Sequence, residues 1–148
     1  MHQYPISFAK ENADALTRQK ANLVQYLNTH FKGSNPDNIL TVLADNGTSC
    51  EIEALGYDLS AHQRIVFNNA SQYFYNRVSI NFNSINDEYD PEVLAFYIDT
   101  DGYVTWEPER TRDFAGHLES RAFSRALNLR LFQSLLAHPY LIANSDSE

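Results

Sequence analysis

Cysteine is almost missing from this 148-residue chain: Cys50 stands alone, so no disulfide closes within it. A lone cysteine outside any motif reads as a small apolar residue rather than a nucleophile, and it fits a reducing compartment. Glycine is also scarce, at five. No P-loop, GxGxxG or GxSxG is present, and a phosphate-cradling loop is not expected. No apolar run approaches the ~18 residues that span a bilayer. The first dozen residues, MHQYPISFAKEN, lack the basic-then-apolar order of a secretory signal. These absences predict a cytoplasmic protein with no membrane segment.

Metal-ligand spacing is missing too. His2, His30, His62, His117 and His138 form no i, i+4 pair and sit in no HExxH context. No metal site and no cofactor is expected. The run Asp99-Thr100-Asp101-Gly102 has a superficial calcium-loop look. If Gly102 is the loop glycine, however, Tyr97 and Pro108 fall at the first and last ligand positions, and neither is suitable there.

Basic charge is what the middle of the chain lacks. Residues 37–109 hold thirteen acidic and two basic groups, giving −11, while the whole chain carries −8. Such a segment repels phosphate, so direct nucleic-acid binding is disfavoured, and a protein with a basic surface is the favoured partner. Against this stands the plain reading that acidic charge keeps a protein soluble.

Apolar and aromatic pattern is abundant: 43% of residues are hydrophobic, with nine Tyr, nine Phe and one Trp, enough for a single domain with its own core over residues 1–148. The stretch Val93–Glu107 has two β-prone runs flanking Asp99–Gly102 and predicts a hairpin with strands near 93–98 and 103–107. Val78, Ile80 and Phe82 alternate with polar residues, so residues 77–107 read as a three-stranded meander. Cys50, Ile52 and Ala54 alternate with Glu51 and Glu53, a half-buried strand at 49–55 with an acidic outer face. Residues 36–44 fit either a short helix or turn, which we favour, or a strand leading into Asn46-Gly47.

Three helices are expected. Ser7–Lys32 carries Phe8, Leu16, Leu23, Leu27 and Phe31 on one face, with Ser7 as cap and Gly33 as stop. Ser60-Ala-His-Gln63 has the capping-box form, and Val66, Ala70 and Phe74 follow at four-residue steps, predicting a helix over 61–75. Residues 112–137 read as a helix ended by Pro139. It bears two apolar stripes, one of Phe114, Leu118, Ala122, Leu129, Phe132 and Leu136, the other of Phe123, Leu127, Leu131 and Leu135. Two stripes mean burial on two sides. One is the sheet; the other is the N-terminal helix or a second copy, which allows a homodimer through the C-terminal helix. The tail from about 142 is expected to fray.

The expected architecture is α+β: a mainly antiparallel sheet of four to five strands with the long N- and C-terminal helices packed on one face. Its function reads as a non-enzymatic protein-binding module (inhibitor, immunity-type or chaperone-like) that uses a Tyr-rich acidic sheet face built from Glu51, Glu53, Tyr97, Asp99, Asp101, Tyr103 and Trp106. The alternative is a pocket between sheet and last helix in which Arg121, Arg125 and His117 hold a small anion.

Overall fold

A computed structural model describes residues 6–31, 38–69, 73–107 and 114–145. Their elements, in chain order, are α1 (Ile6–Phe31), β1 (Leu40–Asp45), β2 (Cys50–Ala54), β3 (Tyr57–Asn68), β4 (Tyr73–Phe82), β5 (Glu92–Ile98), β6 (Tyr103–Thr105), β7 (Phe114–His117), α2 (Arg121–Ala137) and α3 (Pro139–Ser145). The strands form one curled antiparallel sheet whose spatial order is the chain order, β1 to β7. A meander of this kind needs only short hairpin connections. The β2–β3 turn is the tightest: Ala54 pairs with Tyr57, and Leu55 and Gly56 both take positive φ, at 52° and 82°. That is the geometry of a two-residue type I′ turn, which matches the twist of its strands.

Side chains alternate across the sheet with period two. Leu40 and Val42 of β1, Ile52 and Ala54 of β2, Leu59 and Ala61 of β3, Val78, Ile80 and Phe82 of β4, Leu94, Phe96 and Ile98 of β5 and Val104 of β6 share one face, as their pairing requires, and all are buried. Aromatic side chains of the helices contact some of them. The Phe123 ring of α2 sits 5.4 Å from Phe96 and 5.4 Å from Tyr26 of α1, and Tyr140 of α3 lies 5.2 Å from Phe82. Leu127, Leu131 and Leu135 continue the buried stripe of α2.

Two polar residues interrupt this apolar face. Gln63 of β3 donates to the Lys20 carbonyl of α1 (3.0 Å) and to the Thr48 carbonyl in the β1–β2 turn (2.9 Å), and accepts from Asn76 of β4 (2.5 Å). One side chain thus joins four parts of the fold. Asn76 is wholly buried, and its Oδ1 has no hydrogen-bond partner among the described residues.

α2 opens on Ser120, whose hydroxyl accepts from the Phe123 amide. It stops at His138. The His138 Nδ1 accepts from the Tyr140 amide (3.1 Å), so its proton sits on Nε2, which donates to the Asp90 carbonyl (2.8 Å). The chain then resumes as α3 with Pro139 in the first position, where proline is tolerated. No helix among the described residues is long and apolar enough to cross a membrane.

Several expectations are corrected. The sheet has seven described strands, not four to five. Residues 61–75 are not a helix: 61–68 belong to β3 and 73–75 to β4, with 70–72 outside the described residues. Ser60 is no cap; it lies in β3 beside Glu51. The strand alternative holds at β1, not the favoured helix or turn over 36–44, of which 36 and 37 lie outside the described residues. α2 begins at Arg121 rather than 112, because 114–117 form β7; Gly116 has φ +109°, outside the helical region, and a Cβ there would lie 2.9 Å from the Ser120 hydroxyl. Residues 112 and 113 are not described. Ser7 lies inside α1 rather than capping it, Phe8 is 43% exposed, and Gly33 falls outside the described residues. Within the single chain the outer stripe of the last helix is not covered by the N-terminal helix: Leu129, Phe132 and Leu136 are exposed. Residues 142–145 belong to α3, and 146–148 lie outside the described residues.

Candidate functional site

The other face of the sheet carries the charge. Glu51 and Glu53 leave β2 on this side, opposite Ser60 and Asp58 of β3. Glu51 is held in place: the Ser60 hydroxyl lies 3.1 Å from both carboxylate oxygens, and the Asn83 side-chain amide donates to Oε2 at 2.9 Å. Ser60 is also bonded to the Asn83 Oδ1. Glu53 stands directly across from Asp58, a like-charge pair of a kind that destabilises a ladder. Among the described residues neither has a cationic partner.

Further across the same face, Arg64 of β3 stands opposite Arg77 of β4, and Arg77 opposite Tyr97 of β5. Arg77 is engaged. Its guanidinium makes an ion pair with Glu92 at 2.7 Å, donates to the Tyr97 hydroxyl at 3.2 Å and lies 5.8 Å from the Tyr97 ring centre. Partial burial pulls its pKa down, but the bonds to Tyr97 and Glu92 outweigh that and leave it above the ordinary arginine value. Arg64 is exposed and has no ion pair among the described residues. Tyr75 packs edge-on against Tyr97 at 6.0 Å and is buried, its hydroxyl without a hydrogen bond among the described residues.

The seven residues expected to form one acidic, tyrosine-rich face do not converge. Glu51 and Glu53 lie three strands from Tyr97, roughly 14 Å at ordinary strand spacing, and Arg64 and Arg77 stand between. Tyr97 and Tyr103 leave the sheet on this face, Tyr103 at 47% exposure. Asp99 is buried and acts inside its turn, its carboxylate accepting from the amides of Asp101 (2.9 Å) and Tyr103 (3.0 Å). Asp101 is exposed at the tip of that turn. Trp106 packs on the core side, 6.1 Å from Phe96 and beneath the Arg130 guanidinium at 4.7 Å.

Arg121 and Arg125 are exposed on the outward side of α2, not between α2 and the sheet. His117 has both ring nitrogens engaged: Nδ1 accepts from the Glu119 amide and Nε2 donates to the Asp101 carbonyl. A cleft of about 270 Å³ opens beside α1, lined by residues that include Tyr26, His30 and Glu119, but by none of these three. The Tyr26 hydroxyl there donates to the Ser120 carbonyl. Among the described residues no three His, Cys, Asp or Glu side chains are grouped to hold a metal ion.

Sequence reasoning missed Asp58 and Arg64. Both lie in β3: Arg64 falls within the 61–75 span whose spacing predicts a helix, and Asp58 just ahead of it. The signal that could have revealed Asp58 was the Leu55-Gly56 dipeptide, a two-residue turn that puts Asp58 opposite Glu53 by counting alone. Comparisons with protein-family models, with curated proteins and with solved structures found no match in any of the three.

Proposed function

We propose that the protein is a non-enzymatic binding module that engages the basic surface of another protein through Glu51, Glu53 and Asp58. The observation that carries this is the direct pairing of Glu53 with Asp58 across β2 and β3. Like charges set opposite each other weaken the free protein. A partner cation placed between them turns that repulsion into attraction, so the strain of the free state favours the bound state. Glu51, fixed by Ser60 and Asn83, adds a third carboxylate that needs no reordering on binding. The contacts of Tyr26, Phe123 and Tyr140 support a packing in which the helices share the apolar face, leaving this one open to a partner. Tyr97 and Tyr103 flank the acidic corner at a distance and supply apolar area with a polar handle. The same acidity argues against direct contact with nucleic acid, and the single, buried Cys50 suits a reducing, cytoplasmic setting.

The test is affinity capture from cell extract at low and high salt, run with the wild-type protein and with Glu53→Lys/Asp58→Lys. A basic protein retained at low salt, released at high salt and lost with the double variant supports the proposal. The Arg64→Glu variant should retain it. Equal capture by wild type and double variant, with circular dichroism showing both folded, would reject it.

A further inference from the structure

α2 has a second apolar face that the fold leaves uncovered. Leu129 is 57%, Leu136 51% and Phe132 38% exposed, while Phe123, Leu127, Leu131 and Leu135 on the opposite side are fully buried. Arg121 and Arg125, also exposed, extend the outer stripe toward the N-terminus, so that it reads Arg121, Arg125, Leu129, Phe132, Leu136 at steps of four, four, three and four residues. On a helix these positions form one continuous band about 22 Å long.

The charge on this band is placed against its own helix. Acidic residues favour the first turn and basic residues the last. In α2 no acidic residue occupies the first turn and no basic residue the last, while Arg121 opens the helix and Arg125 follows a turn later. Neither arginine has an ion pair among the described residues. The positive N-terminal end thus carries the two arginines, and the last turn has no basic residue of its own.

We infer that a second copy of this chain covers the band, the two α2 helices lying antiparallel about a two-fold axis near Leu129. The spacing is self-complementary about that point. Leu129 meets its own counterpart, Arg125 falls beside Phe132 of the other copy, and Arg121 falls beside Leu136 and the last turn of the other helix. Each mismatch with the helix dipole is then corrected by the second copy: the arginines approach a carbonyl-rich end, and Arg125 gains an aromatic face. A residue i that meets j while j meets i is the mark of a two-fold contact. Two such bands alone bury less than a standard interface, so the dimer is concentration-dependent. This face is separate from the Glu51, Glu53 and Asp58 corner, and neither proposal depends on the other.

Sedimentation equilibrium from about 5 to about 500 µM gives the first reading, because the monomer–dimer balance shifts with concentration by mass action. The mass should rise toward twice the monomer, and Leu129→Glu should weaken the association at least about tenfold, roughly 1.4 kcal/mol, without changing the circular dichroism spectrum. Cysteine cross-linking gives the orientation; native Cys50 is buried and leaves a low background. Under mild oxidation Leu129→Cys should link to itself, Leu136→Cys should not, and a mixture of Arg121→Cys with Leu136→Cys should link across. A monomer at every concentration, a dimer unaffected by Leu129→Glu, or self-linking at both 129 and 136, as parallel helices would give, overturns the inference. Glu53→Lys/Asp58→Lys should leave the dimer unchanged.

Discussion

On one face of the sheet the buried Asn76 and the half-buried Gln63 are bonded to each other, and Gln63 reaches on to α1 and the β1–β2 turn. On the other, Glu53 stands opposite Asp58 and Arg64 opposite Arg77. The strands are the same and the residues alternate, yet polar groups serve opposite ends. The inner ones tie parts of the fold together, Gln63 through α1, the β1–β2 turn and the Asn76 side-chain amide. The outer ones set like charges against each other, which a fold selected for stability alone would avoid. Such a departure from local consistency is the feature on which the proposed binding role rests.

Substitutions on the two faces should therefore differ in size and, at the end of the series, in sign. Phe96→Ala removes a fully buried ring that packs on Phe123 and Trp106, and should lower unfolding free energy by about 3–5 kcal/mol in urea titration. Gln63→Leu keeps the volume but leaves the Lys20 and Thr48 carbonyls and the Asn76 amide without it, for a loss of about 2–3 kcal/mol. Should Gln63→Leu prove neutral, the inner amides are not the ties the contrast requires.

Cys50 sharpens the contrast by pH. Burial, and after it the charges of Asp45 and Glu51, push its thiol up from 9.0 to about 11. The folded state then binds the proton more tightly than the unfolded state. Its contribution is complete below pH 9 and is lost as pH rises from 9 toward 11. Thermal melting across that window should fall more steeply for wild type than for Cys50→Ala, and the thiol should resist Ellman's reagent at pH 8 until the protein is unfolded.

At the sheet's rim Leu55 holds φ 52°, a conformation that costs a leucine about 1–2 kcal/mol. Leu55→Asn should raise stability by about 1 kcal/mol, since asparagine tolerates that region and Leu55 is 45% exposed. The smallest effect, on the polar face, should be a gain: Asp58→Lys places a cation opposite Glu53 and should add about 0.2–1 kcal/mol.

How much of this was legible in the residues depends on how closely each strand kept to period two. β2, β5 and the latter half of β4 keep it, and their positions were foreseen. The β3–β4 hairpin breaks it in both directions. Gln63 and Asn76 are polar and point inward; Val66 and Tyr75 are apolar and point outward. What remained was Val66, Ala70 and Phe74 at steps of four, a helical spacing without a helix. β1 hides its alternation behind Leu43 and Ala44, exposed at an irregular pairing between Val42 and Ala44. β7 was absorbed into the last helix because Phe114 and Leu118 share a four-residue step; only the positive φ of Gly116 separates them, and nothing local demands it. At the site, Glu51 and Glu53 were readable from alternation alone, whereas the pairing of Glu53 with Asp58 required the register of a strand that had been read as loop and helix.

The central claim is that the Glu53–Asp58 repulsion is kept for a partner, and one variant tests it most directly. Asp58→Lys would be measured for melting temperature and, in parallel, for salt-sensitive capture of a basic protein. A raised melting temperature together with lost capture is the predicted result. Unchanged capture in a stabilised protein, or a fall in melting temperature with the fold otherwise intact, would contradict it.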